Sequence, residues 1–144
     1  MIVDAHFHLL ADSDVPGCKM SDRLKAQPAG ALVNLLLGTT FLRMMDVLFP
    51  DDDPAPDHLT SDRIRERLLA EVARSRLIDG VVLLGMDARW NHDGTSLFDE
   101  SDLVVSNKYV LDTVARHRDL AGNKHLYAGT SIHPFRPEDS RVGR

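Results

Sequence analysis

The fold is decided by residues 2–9, which read Ile-Val-Asp-Ala-His-Phe-His-Leu. This short apolar pattern is typical of a β-strand, in which residues i and i+2 project from the same face. His6 and His8 are therefore expected to bring both imidazoles to one point. Imidazole nitrogen is a common protein ligand of zinc and related divalent ions. The spacing predicts half of a metal site, against the alternative of an ordinary exposed or buried histidine pair.

The rest of the chain predicts two further strands with helices between them. Strand one is expected over about 2–9, strand two over about 80–86 and strand three over about 126–132. Helices are expected over about 61–77 and 107–118. This β-α-β-α-β order predicts an α/β fold with parallel strands and right-handed crossovers.

Each predicted helix has an apolar stripe and a capping residue. Thr60 to Asp62 offer side-chain oxygens at the start of the first helix, and Ser106 caps the second. Charged residues of the first helix, Arg65 among them, are expected in solvent. The stripes expected to face the sheet are Ile64, Leu68, Val72 and Leu77 in the first helix, and Val110, Leu111, Val114 and Ala115 in the second.

A long insertion is predicted after strand one, over about 11–57. Such a length far exceeds the usual two to six residues of a βα loop. Residues 11–30 are expected to form a loop with a short helical turn, and residues 31–49 a buried or oligomer-facing helix. A membrane span is disfavoured there, because Arg43 and Asp46 interrupt the apolar run. The acidic residues 51–57 are expected to be a solvated linker.

Composition favours a soluble cytoplasmic protein that binds neither nucleic acid nor membrane. The chain is 43% hydrophobic and 27% charged, with a formal net charge of −5 and no basic stripe. No signal-peptide pattern follows Met1. Cys18 is the single cysteine, which fits a reducing compartment and a free thiol in a loop.

Two segments resemble a known family. The segment 4–8, Asp-Ala-His-Phe-His, is similar to the D-x-H-x-H signature of the amidohydrolase superfamily, especially its amidohydrolase-related (family 2-like) metal-dependent hydrolases and decarboxylases. Residues 126–137 are similar to the third-strand segment of those proteins, in which a strand of small residues ends in His-Pro. The resemblance implies a (β/α)8 TIM-type barrel. Because such barrels need about 250 residues, residues 1–144 are expected to form a single partial domain of about three βα units.

The resemblance also implies a chemistry. His6 and His8 would hold a divalent metal, zinc above all, that activates water against a C–N or C–O bond of a small carbonyl or carboxylate substrate. In the family the remaining ligands come from later strands. The 144-residue chain alone is therefore expected to be inactive.

Four further residues are predicted at the same end of the strands. His133 and Asp87 follow strands three and two, and they are the candidate catalytic residues. Arg136 and Trp90 are the candidate substrate contacts. The alternatives are a loop-capping histidine at 133 and an ordinary turn aspartate at 87. Asp4 is expected to share the face of the two histidines and to lie below the metal.

Several alternatives to an amidohydrolase-like hydrolase stay open at this point. A metal-dependent decarboxylase or a phosphoesterase of a related barrel would use the same strand-one histidines. A noncatalytic truncated fragment, or a module that assembles as a homo-oligomer through residues 31–49, would need no metal.

Overall fold

The computed structural model of this protein describes residues 1–26 and 60–137. In chain order the described elements are β1 (Val3–His8), β2 (Lys19–Met20), α1 (Asp22–Ala26), α2 (Ser61–Arg74), β3 (Gly80–Leu84), β4 (Leu103–Val104), α3 (Asn107–Arg116) and β5 (His125–Gly129). Short 3-10 helices lie at Phe98–Glu100 and Arg118–Ala121. The predictions for residues 31–49 and 51–57 lie outside the described residues.

The centre of the fold is a parallel three-stranded sheet with the order β1-β3-β5. The fold is therefore mixed α/β, and the predicted parallel strands are confirmed. Strands β1 and β5 form the edges of this sheet among the described residues. In that same part of the chain, no helix has the length and apolar character needed to cross a membrane.

Strand β5 ends three residues earlier than predicted, and the reason is a side-chain interaction. The Ser131 backbone N–H donates to Asn107 Oδ1 at 2.9 Å, and Asn107 Nδ2 donates to the Ser131 carbonyl at 2.9 Å. The backbone of Ser131 is thus satisfied by an amide side chain instead of a neighbouring strand. Strand β3 likewise ends at Leu84, and Met86 forms an isolated antiparallel bridge with Val105.

One face of the sheet is packed against helices. Val81, Leu83 and Leu126 are buried and belong to the main core cluster. The helices supply Ile64, Leu68, Leu69 and Val72 from α2, and Tyr109 and Val110 from α3. Burying such aliphatic side chains stabilises a fold by about 1.5–3 kcal/mol each.

Helix α2 confirms most of its predicted stripe. Ile64, Leu68 and Val72 are buried, and the Thr60 side chain caps the helix by accepting from the Arg63 N–H at 3.3 Å. The prediction for Leu77 is wrong, because the helix ends at Arg74 and leaves Leu77 81% exposed.

Two predictions about polar and apolar faces fail for one shared reason, the position of Tyr109. Arg65 was expected in solvent, yet it is buried, pairs with Asp62 at 2.9 Å, and lies with Cζ 5.8 Å from the centroid of the Tyr109 ring. Tyr109 Oη donates to the Ser61 carbonyl at 3.1 Å. This buried aromatic residue fixes the rotation of α3. Tyr109, Val110 and Thr113 therefore face inward while Leu111 and Ala115 are exposed; the Ser106 cap, which accepts from the Tyr109 N–H, is confirmed.

Strand β1 contains an irregularity that separates Asp4 from the histidines. Asp4 is paired with Val81 and His8 with Leu84, so β1 carries one more residue than β3 between these positions. Asp4 lies beside Val81 and Leu126, which are buried beneath the helices, whereas His8 lies beside Leu84 and Gly129. Val81 and Leu84 are three positions apart on β3, so their side chains lie on opposite faces of the sheet. The prediction that Asp4 shares the face of His6 and His8 is therefore wrong, since strict alternation does not continue through the bulge.

The loop after β1 is more ordered than the predicted loop with one helical turn. Lys19–Met20 pairs antiparallel with Leu103–Val104, which brings residues about 80 positions apart together. Cys18 is buried beside this pair, and its Sγ accepts from the Ser106 N–H at 3.3 Å. The thiol is free, as predicted, and it contributes to the core.

Candidate functional site

The two histidines of β1 lie together at the carboxyl end of this edge strand. Their Nε2 atoms are 3.0 Å apart, and their ring centroids are 4.8 Å apart with the planes at 80°. Zinc–nitrogen bonds of about 2.0–2.1 Å place two ligand nitrogens about 2.8–3.4 Å apart for bond angles from 90° to tetrahedral. The 3.0 Å separation of the two Nε2 atoms, which is a hydrogen bond in this structure, lies near the 90° end of that interval. The donor atoms present therefore fit a shared divalent cation.

The electrostatics of the pair favour the form that binds metal. Burial lowers the pKa of His8, and the neighbouring His6 lowers it further. A lowered pKa keeps the imidazole neutral, with a lone pair available, over a wider range of pH.

The pair is incomplete as a metal site within the described residues. In that part of the chain no group of three or more His, Cys, Asp or Glu residues is placed to hold a metal ion. His8 Nδ1 is buried and has no hydrogen-bond partner there. Metal-bound histidines normally donate their second N–H to a carboxylate or carbonyl. His8 lacks that contact within the described residues.

Asp4 supports the strand instead of the metal position. Its Oδ1 accepts a hydrogen bond from the backbone N–H of His6 at 3.0 Å. A carboxylate that binds the backbone two residues ahead is a local turn-like interaction, and it stabilises the bulge in β1.

A second group of polar residues surrounds Asp87, which follows β3. Asp87 Oδ1 accepts from the Ala88 N–H at 2.9 Å and from Trp90 Nε1 at 3.4 Å. Asp87 Oδ2 accepts from the backbone N–H of His133 at 3.0 Å and forms an ion pair with Arg136 at 3.3 Å. The carboxylate is only 11% exposed. We call Asp87, Trp90, His133 and Arg136 the aspartate cluster.

Trp90 and Arg136 complete the cluster from two different loops. The Arg136 Cζ lies 5.7 Å from the centroid of the Trp90 ring, within the range of a cation–π interaction. Asp87 Oδ1 contacts both side chains, at 3.4 Å from Trp90 Nε1 and 3.4 Å from Arg136 Nη1. The loops that follow β3 and β5 are joined at this point.

His133 begins a tight turn in the second loop. Its carbonyl accepts from the Arg136 N–H at 3.0 Å, with Pro134 at the position where proline favours such turns. The His133 Nδ1 accepts from the Phe135 N–H at 3.3 Å, and the rings of these two residues are 5.6 Å apart. His92 also packs against Phe135, with ring centroids 4.2 Å apart.

Sequence reasoning missed the residues that position this cluster. Ser131 Oγ accepts from the Asp87 N–H at 3.2 Å, while Asn107 holds the Ser131 backbone from the start of α3. Gly85 allows this approach, since a Cβ there would lie 2.9 Å from the Val105 carbonyl oxygen and 3.0 Å from Asn107 Oδ1. The signal available in the sequence was the small-residue run Gly129–Thr130–Ser131, which is typical of close backbone packing.

Three kinds of known protein data were compared with the chain. No protein-family model, curated protein or solved structure matches it.

The structure thus forms two groups from the six predicted site residues. His6 and His8 contact each other, and Asp87, Trp90, His133 and Arg136 contact one another. His6 and His8 lie in the last three residues of β1, and the aspartate cluster follows β3 and β5. Because the three strands are parallel, both groups lie at the carboxyl end of the sheet.

Proposed function

We propose that this chain forms the first βα units of an amidohydrolase-like, TIM-type metal-dependent hydrolase. His6 and His8 are its first two ligands for a divalent cation, with zinc as the expected ion. The single observation that supports this proposal is the 3.0 Å separation of the two Nε2 atoms, which suits ligands of one ion. The expected substrate is a small molecule with a carbonyl or carboxylate group.

In this proposal the histidine pair binds the metal, and the aspartate cluster supplies the catalytic and substrate-contacting side chains. His6 and His8 would hold the cation, which when bound would acidify a water molecule and polarise a substrate carbonyl. His8 contributes a neutral imidazole, because burial and His6 both lower its pKa. Asp87 and His133 stand at the neighbouring strand ends as the catalytic candidates, and Arg136 and Trp90 are the candidate substrate contacts. The remaining metal ligands are expected from elsewhere in the complete barrel.

Metal titration of the chain tests this proposal. Because two imidazoles are only part of a ligand set, we expect the wild-type protein to bind one equivalent of Co²⁺ or Zn²⁺ weakly, and the His6→Ala/His8→Ala variant to lose that binding. A His117→Ala/His125→Ala variant is the matched control, because it also removes two imidazoles but leaves the pair intact. Circular dichroism verifies that all three proteins are folded.

Equal metal binding by the wild type and the His6→Ala/His8→Ala variant would overturn the proposal. Absence of metal binding by the folded wild type would instead favour a noncatalytic role for this chain. Loss of metal binding in the control variant alone would show that the metal site does not include His6 and His8, and it would also overturn the proposal.

A further inference from the structure

We propose that His133 acts as a hydrogen-bond donor through Nε2–H to a substrate carboxylate, and that it is not a metal ligand. The substrate class in this inference rests on the proposed function. The role of the ring as a donor is argued from the geometry of the His133 turn.

The His133 backbone is held in place by two contacts outside its own side chain. Its N–H donates to Asp87 Oδ2 at 3.0 Å, and its carbonyl accepts from the Arg136 N–H at 3.0 Å. Asp87 is in turn fixed by the Ala88 N–H and Trp90 Nε1. A side chain that starts from so constrained a backbone has few orientations to lose when a ligand binds.

The ring of His133 is constrained as well, because its Nδ1 accepts the Phe135 N–H at 3.3 Å. A neutral imidazole carries one proton, and a nitrogen that accepts a hydrogen bond is the unprotonated one. The proton therefore resides on Nε2. Ligation of a metal by Nε2 would require that proton to move to Nδ1, which would break the contact with Phe135.

The same reasoning separates His133 from the histidines of β1. The Nε2 atoms of His6 and His8 are hydrogen-bonded to each other at 3.0 Å, so one of them carries a proton when no metal is bound. In His8 that proton can move to Nδ1, which has no partner among the described residues, whereas Nδ1 of His133 is occupied by the Phe135 N–H. The Nε2–H donor of His133 requires an acceptor atom, and oxygen is the acceptor in the proposed substrates.

The charges around His133 favour an anionic oxygen acceptor, and the proposed substrate class makes that acceptor a carboxylate. Both Asp87 oxygens are already bound to donors, and this carboxylate is 11% exposed. The Arg136 side chain is 24% exposed, so an approaching ligand meets the cation more readily than the anion. His133 itself is partly exposed, which lets a ligand reach its ring.

The protonated nitrogen is tested directly by NMR. Long-range ¹H–¹⁵N correlation spectra of the metal-free protein at neutral to mildly alkaline pH should show His133 as the Nε2–H tautomer. A His133→Ala variant assigns the signal. The Nδ1–H tautomer at this residue would overturn the proposal whatever the outcome of the metal titration.

Two amide variants test the role of the donor in binding. His133→Asn places an amide near the former Nδ1, so its oxygen can still accept the Phe135 N–H, but it has no group at the Nε2 position. His133→Gln extends further and can place an amide N–H near the Nε2 position. A residue that only caps the turn would therefore be replaced better by asparagine than by glutamine.

Acetate is the probe, and Trp90 is the reporter, because it is the only tryptophan of the chain and contacts Asp87. Acetate is titrated into metal-free protein against chloride at matched ionic strength. We expect acetate to change Trp90 fluorescence, the affinity to fall about tenfold or more in His133→Asn, and His133→Gln to retain most of it. Repeating the titration in the His6→Ala/His8→Ala variant confirms that the acetate is bound at the cluster.

The outcomes distinguish this inference from the proposed function. Acetate affinity that is equal in the wild type and His133→Asn, or absent in the wild type, would overturn the donor role even if zinc binding depends on His6 and His8. Loss of acetate affinity in His133→Asn with unaltered zinc binding in the His6→Ala/His8→Ala variant would support the donor role and overturn the metal pair.

Discussion

The histidine pair of β1 and the aspartate cluster lie at the carboxyl end of one sheet, yet they differ in how their polar atoms are satisfied. His6 and His8 have each other, and His8 Nδ1 has no partner among the described residues. Asp87 accepts from four donors that come from two loops. The comparison indicates that the pair is arranged to receive something from outside, whereas the cluster first of all holds two loops in place.

The largest difference between the two regions is expected in stability. Replacing Asp87 with Ala removes the acceptor of four donors and leaves the Arg136 guanidinium without this partner, so we expect a loss of about 2–3 kcal/mol in the free energy of unfolding. Replacing His6 with Ala should alter it by no more than about 0.5 kcal/mol, because the side chain is exposed. Urea denaturation measures both values.

The exposed Asp99→Ala variant is the control for loss of a carboxylate. Equal destabilisation by Asp87→Ala and His6→Ala would contradict the view that the aspartate cluster holds two loops in place while the histidine pair does not contribute to stability.

A second prediction extends the comparison to the helix-covered face of the sheet. Tyr109→Phe removes the hydrogen bond to the Ser61 carbonyl, and we expect a loss of about 1 kcal/mol at neutral pH. Burial raises the pKa of Tyr109 to about 12. The folded state therefore favours the neutral phenol, a contribution that is complete below the unfolded pKa of about 10 and is lost as the pH rises from about 10 to 12.

Urea denaturation as a function of pH checks this prediction. The wild type should lose stability relative to Tyr109→Phe as the pH rises through that window. Parallel stability curves for the two proteins above pH 10 would contradict the buried, bonded state of the phenol.

The smallest effect is expected at the opposite end of β1. Asp79 Oδ2 accepts the Ile2 N–H at 2.6 Å, and this hydrogen bond is the main reason why the pKa of Asp79 is lowered. A lowered carboxyl pKa contributes stability above the unfolded value and loses it as the pH falls through the folded value. Asp79→Asn should lower Tm slightly at pH 7, and the difference should vanish well below about pH 4.

Thermal melts with Asp119→Asn as the control measure this effect. Zinc binding by Asp79→Asn should equal that of the wild type. A loss of zinc binding would show that the Asp79 contact at the start of β1 affects the positions of His6 and His8 at its end.

The features that the sequence predicted best depend on residues that are close together in the chain. The strands of the sheet and the α2 stripe of Ile64, Leu68 and Val72 follow from periodicity over a few residues. The close approach of His6 and His8 follows from their spacing on one strand. Local patterns suffice where one element alone decides the geometry.

The failures share the opposite cause, which is contact between distant segments. The rotation of α3 depends on Tyr109 reaching Ser61 and Arg65 in α2. Asp87 and His133 were predicted at the same end of the strands, but nothing in either loop indicated that the Asp87 side chain would bind the backbone of the other loop, 46 residues away. The bulge in β1 was missed because the strand's own sequence contains no glycine to mark it.

Gly85 lies outside the aspartate cluster, yet a substitution there is expected to disrupt the cluster. Any side chain at this position would press on the Val105 carbonyl and on Asn107, the residue that holds Ser131 and through it the approach to His133. In a survey of random substitutions Gly85 would therefore score like a member of the site, although it has no functional group of its own. Variation in a population would be filtered there for the same reason, and a map of intolerant positions would extend beyond the residues that meet a ligand.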